Sequence, residues 1–229
     1  MDRTAHLPSS LIPPGGSLPV RAQRPALLQT ALVALLPAVF FLAALAAVTS
    51  WKDIPFGTVA SDPHTVGDLP FYAGLLSNVG VLLWCAAAAV ATFSGAILWA
   101  RGVERPLATF LLASGVFTAV LLLDDFFLIH EIVFPYYLGL PQNLLLGAYA
   151  VGSLAWLGAF RRTILRTESV VLLLALVFLG LSVVFDQLPP MLPMHLLWED
   201  GAKLLGIATW CTYFVRTSAA AIADGAWRQ

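Results

Sequence analysis

Residues able to handle protons or metals recur along the middle and last third of this sequence. Asp124 and Asp125 stand side by side, and His130 and Glu131 follow shortly after. Further on, His195, Glu199 and Lys203 are spaced four and four. On a helix such residues lie one turn above another, so the last three form a stripe on one face. Imidazole nitrogen and carboxylate oxygen are ligands that zinc accepts, and His195-x3-Glu199 sets two of them one turn apart. The chemistry this pattern fits is metal-assisted hydrolysis. His130, His195 and Glu199 would hold zinc or another divalent metal, and Asp124, Asp125 and Lys203 would move the protons of a metal-bound water. Ser77, Asn78, Glu131, Asp186 and Asp200 are the remaining polar candidates for the same site.

Each candidate also has a plainer reading. His130, Glu131 and His195 suit a wetted helix end. Asp124 and Asp125 could be structural, bonded to Ser77, Asn78 or Lys203. Asp186 suits a helix terminus, and Glu199 with Lys203 suits an i,i+4 ion pair. The cysteines, Cys85 and Cys211, lie in apolar runs without metal-like spacing and read as packing residues.

The elements that must position these side chains are membrane helices. Hydrophobic residues make up 59% of the chain and charged residues 11%, with a mean hydropathy of +0.86. A soluble domain carries about 25% charged residues, so this chain has too little charge to cover a water-facing surface. Its solvent is largely the lipid bilayer. The net charge of −1 excludes nucleic acid as a partner. At 229 residues the chain has room for several spans of ~20 residues but for no separate soluble domain.

The expected fold is all-α: a polytopic membrane helix bundle of about six transmembrane helices. Residues 1–25, rich in Pro, Ser and Gly, read as a disordered cytoplasmic tail. The transmembrane domain is 26–217, and 218–229 is a second cytoplasmic tail. The apolar runs are 26–49, 71–100, 107–131, 143–160, 169–187 and 195–217. The first exceeds the 7–15 apolar residues of a signal core and reads as an anchor kinked at Pro37. Residues 50–70 form the one sizeable loop.

Orientation follows from positive charge. Arg3, Arg21, Arg24, Arg101, Arg105, Arg161, Arg162, Arg166, Arg216 and Arg228 fall on one side of such a bundle, while the opposite loops hold only Lys52. Both termini are therefore expected inside. An Ala-, Leu- and Val-rich chain of this kind fits a bacterial inner membrane. With this topology the polar candidates converge at one depth: Asp124 lies ~25 Å from the inner edge of a ~30 Å core. Charges there are costly and mark a site by default.

Three functions remain open on these residues. One is a metal-dependent membrane hydrolase acting on a lipid-like substrate. The second is a proton- or cation-coupled transporter or channel. The third is a non-catalytic subunit, with a membrane-protein partner or a second copy of the chain.

Overall fold

The computed structural model describes residues 32, 35–61, 63–187 and 195–226, without the side chains of 37, 195, 196 and 224–226. The described residues are helical, with no strand among them. The chain divides into two compact units, 1–73 and 74–229.

In the first unit, helix α1 spans Leu36–Trp51. Pro37 falls in its first turn. Leu32 and Leu35 before it are π-helical, so the proline stands where π-helical backbone passes into the α-helix. The expected loop that follows holds two short helices, α2 (Phe56–Ala60) and α3 (Pro63–Gly67). The expected tail of 1–25 lies outside the described residues.

The second unit carries α4 (Leu75–Arg101), α5 (Arg105–Phe127), a π-helical segment (Ile129–Tyr137), α6 (Gln142–Ile164), α7 (Ser169–Asp186) and α8 (His195–Ala226). Helices α4 to α7 are long and apolar enough to cross a membrane. Helix α8 has 32 residues and would reach ~48 Å, but its first turns carry Glu199, Asp200 and Lys203. Helix α1 is shorter than a span within its described residues.

Contacts between side chains fix the direction of each helix. Thr167 meets Tyr213 and Glu168 meets Arg216, while Leu179 lies against Gly206, so α7 and α8 run antiparallel. Gly80 faces Ile207 and Trp84 faces Trp210, so α4 and α8 run parallel. Thr118 bonds Trp210 and Asp125 bonds Lys203, which sets α5 antiparallel to α8. Ser114 with Trp156 and Phe110 with Phe160 set α6 antiparallel to α5. The five helices thus alternate in direction.

Small residues allow this packing. A Cβ placed on Gly115 would stand 2.9 Å from the Thr92 backbone nitrogen, and one on Gly95 would stand 2.9 Å from that of Leu112. These glycines let α4 and α5 approach backbone to backbone, as small residues do in membrane bundles. Gly206 does the same for α8 against α7.

The core is aromatic. Phe110, Trp210, Tyr213 and Phe214 are fully buried, joined by Trp84 and Trp156. The Trp156 ring stands 5.6 Å from Phe110, 6.0 Å from Phe117 and 5.5 Å from Trp210. Each of these two indoles donates to a hydroxyl of α5: Trp156 to Ser114 at 3.2 Å and Trp210 to Thr118 at 3.1 Å. Ser114 and Thr118 are four apart and share one face of α5.

One boundary departs from the expected spans. The run 107–131 is not a single helix, because α5 ends at Phe127 and Leu128 turns left-handed at φ 50°. A leucine there is uncommon and strained. Its N–H still closes the last turn onto the Asp124 carbonyl. His130 and Glu131 therefore stand on a separate π-helical segment, re-aimed relative to Asp124 and Asp125. Asp124 and Glu131, seven residues apart, therefore do not share a face of one helix.

Candidate functional site

The alternation of α4 to α8 brings the C-terminal ends of α5 and α7 together with the N-terminal ends of α6 and α8. Asp124 and Asp125, Asp186, Gln142, and Glu199 with Lys203 accordingly sit at one end of the second unit. Arg101, Arg105, Arg161, Arg162 and Arg216 sit at the other. The polar end holds a cavity of about 410 Å3, within the ~300–1,000 Å3 range of small-molecule sites. Asp124, Asp125, His130, Glu131, Asp186, Glu199 and Lys203 line it, and Trp84, Phe117, Trp156 and Trp210 close it on the core side. Along α8, Trp210 lies seven residues beyond Lys203, or ~10 Å deeper.

Asp124 and Asp125, buried at 5% and 7% exposure, serve different partners because neighbours on a helix point about 100° apart. The Asp124 carboxylate turns back over the break at Leu128. It accepts the His130 backbone N–H at 3.0 Å and faces His130 Nδ1 at 2.5 Å. One carboxylate thereby replaces the helical bond lost at the break and fixes the imidazole. His130 Nε2 stands 3.4 Å from Glu131. Both ring nitrogens thus face carboxylate oxygens.

Asp125 points to α8, where the Lys203 ammonium donates to it. This ties α5 to α8 across the bundle. Glu199, one turn before Lys203, lines the same cavity. Asp186 accepts from Gln142 at 3.3 Å and from Gln187 at 2.7 Å, joining α7 to α6. Asp200 lies within electrostatic reach of Lys203, Glu131 and Asp125 but does not line the cavity. Ser77 and Asn78 are exposed on α4 and are not brought to it. Among the described residues, no three His, Cys, Asp or Glu side chains converge as metal ligands would. The side chain of His195 lies outside the described residues, so the trio of His130, His195 and Glu199 is not assembled by them.

Sequence reasoning passed over Trp156, Trp210 and Tyr149, which complete the cavity wall. The signal was present for the two tryptophans. Each lies deep in an apolar run, and an indole N–H there needs an acceptor. Ser114 and Thr118, four apart in the facing run, supply two. Tyr149 interacts with the Asp124 carboxylate, a relation across two helices that no local pattern encodes.

At the opposite end, Glu168 in the turn between α6 and α7 receives both the Nε and an Nη of Arg216. The guanidinium holds the Glu168 carboxyl below its ordinary range. This bidentate pair clamps the turn before α7 to the last helix.

No curated protein and no solved structure matches the chain. Residues 31–217 match a family described as Domain of unknown function (DUF8692), and the chain belongs to that family.

Proposed function

We propose that this is a multi-pass protein of the bacterial inner membrane, with about six spans and cytoplasmic termini, whose cavity takes a lipid-like substrate for hydrolysis. The gathering of arginines at the end opposite the cavity supports that orientation, since cytoplasmic loops carry the excess of positive charge. The cavity would then open toward the outer leaflet.

One observation carries the hydrolase reading: His130 is fixed through Nδ1 by a buried carboxylate, with Nε2 in an amphipathic cavity. That is how a general acid or base is oriented. An amphiphile would set its apolar part against Trp84, Trp156 and Trp210, and its polar end beside His130. In hydrolysis, Nε2–H gives its proton to the leaving oxygen or nitrogen as that bond breaks. A water adds to the acyl or equivalent centre, and its proton passes to Glu131 or Glu199. Return of that proton to His130 closes the cycle. Were zinc or another divalent metal bound, His130, His195 and Glu199 would be the residues to hold it and it would activate the attacking water, with Asp124 orienting the imidazole from Nδ1.

A cation-transport route is less well supported. It would have to continue past the cavity floor, where the aromatic side chains of Phe110, Trp210, Tyr213 and Phe214 are fully buried.

The test is release of fatty acid or head group from ester- and amide-linked lipids by detergent-purified protein, with elemental analysis of the same samples. His130→Ala and Asp124→Asn should lower release by about 10²-fold, the loss expected for an acid–base group. A near-stoichiometric metal lost in His130→Ala, His195→Ala and Glu199→Ala assigns those three as ligands. Release that survives His130→Ala sinks the reading.

A further inference from the structure

Two helices that flank the cavity pack on different partners. Helix α6 lies against α5 and the π-helical segment, and α7 lies against α8. The cavity takes residues from both, Tyr149, Ala150 and Ser153 on α6 and Leu176, Gly180 and Val183 on α7, and so lies between them. At the polar end the two helices are tied by Gln142 and Asp186 at 3.3 Å. Below that tie, Ala150, Gly180 and Val183 line the cavity and are exposed as well. A Cβ on Gly180 would meet nothing within 4 Å among the described residues. The flanks beside them are exposed and apolar: Val151 and Leu154 on α6, Val177 and Leu181 on α7. The gap thus joins the cavity to the apolar outside of the bundle.

Depth decides what lies on that outside. Ala150 follows Gln142 along α6, and Gly180 precedes Asp186 along α7, which places them ~12 Å and ~9 Å below the tie. Both helices are long and apolar enough to cross a membrane. The gap therefore opens at the depth of lipid chains rather than of head groups or water. We infer that the gap between α6 and α7 is a lateral portal, through which a lipid-like molecule slides from the bilayer into the cavity with its apolar chain between Ala150 and Gly180. This rests on the reading of the cavity as an amphiphile site and narrows it. The substrate is a molecule dissolved in the bilayer, whose chain stays in apolar surroundings throughout its entry and so escapes the cost of crossing water. The small side chains at Ala150 and Gly180 leave open a gap that larger ones would fill.

The experiment uses the full chain in phosphatidylcholine nanodiscs, doped with a phosphatidylcholine that carries a diazirine on one acyl chain. Light attaches the chain to the residues it touches, and tandem mass spectrometry maps the adducts without any need of hydrolysis. Adducts are expected inside the cavity, on Trp156 and Leu176, as well as on exposed residues such as Leu154 and Val177. Gly180→Phe should abolish the cavity adducts and leave the exposed ones. Ala150→Phe closes the same gap from the other helix and serves if the first variant does not fold. Adducts confined to the exposed residues of the parent overturn the portal, whether another segment, a second copy or a partner fills the gap. Cavity adducts that persist in both variants overturn the route between α6 and α7. Labelling reads occupancy alone, so loss of the hydrolase reading would leave a labelled cavity. Failure of the portal would leave lipid hydrolysis in detergent intact.

Discussion

Replacing Lys203 by Met tests whether the cross-bundle tie between α5 and α8 is real. The substitution keeps length and apolar volume while removing the ammonium. It leaves Asp125, whose side chain is 7% exposed, as a buried carboxylate without its cation. Breaking a fully buried pair in this way costs about 3–5 kcal/mol. The Lys203 side chain is 31% exposed, so water recovers part of that, and roughly 2–3 kcal/mol is expected. Asp125→Asn in the same chain removes the stranded charge. The double variant should therefore be more stable than Lys203→Met alone, with a coupling energy above ~1 kcal/mol. The assay is equilibrium unfolding in mixed micelles, followed by near-UV circular dichroism for the single, double and parent chains. A Lys203→Met cost below ~0.5 kcal/mol, with additive single effects, would show that no such pair forms.

Two further predictions concern packing and the opposite end of the bundle. Gly206→Ala should destabilise by about 1–3 kcal/mol, the usual cost of overpacking, because its Cβ would meet the Leu179 backbone nitrogen at 2.9 Å. Gly158→Ala, which meets nothing within 4 Å, should be neutral or slightly stabilising, and melting temperatures of the two variants check the contrast. Glu168 has a depressed carboxyl in the folded chain, so its contribution is present above its ordinary value of 4.5 and lost as pH falls through the lower folded value. Glu168→Gln should lower the melting temperature at neutral pH, and the gap to the parent should close as the pH drops below 4.5. A gap that stays constant with pH would remove the ion pair as its cause.

Much of this arrangement was legible in the chain. Apolar runs separated by Arg101, Arg161 and Arg162 mark four helices within a turn or two, because lipid demands continuous helices of fixed minimum length. Alternation of direction then places Asp124, Asp186 and Glu199 at one end without any motif. The break at Leu128 was not legible. The segment Asp124–Glu131 contains neither glycine nor proline, and Pro135, the nearest, lies beyond it. A left-handed leucine is stabilised here by a side-chain contact, Asp124 with His130, that local propensity does not report. The partner of Lys203 was legible only as one of several alternatives, Glu199 beside it or the Asp124–Asp125 pair. Helical spacing offers Glu199 one turn away, whereas the ammonium reaches Asp125 on another helix, and only the packing of small residues decides how close those helices come.

The break is what turns a row of costly charges into a site. Were α5 to continue straight, His130 would lie six residues beyond Asp124, more than a full turn further along the axis. Glu131 would lie still farther, and the two histidine nitrogens could not face two carboxylates at once. By turning left-handed at Leu128, the chain brings His130 onto Asp124 at a cavity that residues of α4 to α8 line. The left-handed leucine raises the local energy, and the same carboxylate that orients the imidazole also accepts the backbone N–H beyond it. Backbone strain of this kind clusters at functional sites, which is why the break marks this cavity as a candidate. Fold and candidate chemistry thus depend on one residue, Asp124, and that dependence gives Asp124→Asn its value. The asparagine can still accept the backbone N–H while it lacks the carboxylate that faces Nδ1, so it separates the backbone contact of this side chain from its contact with the imidazole.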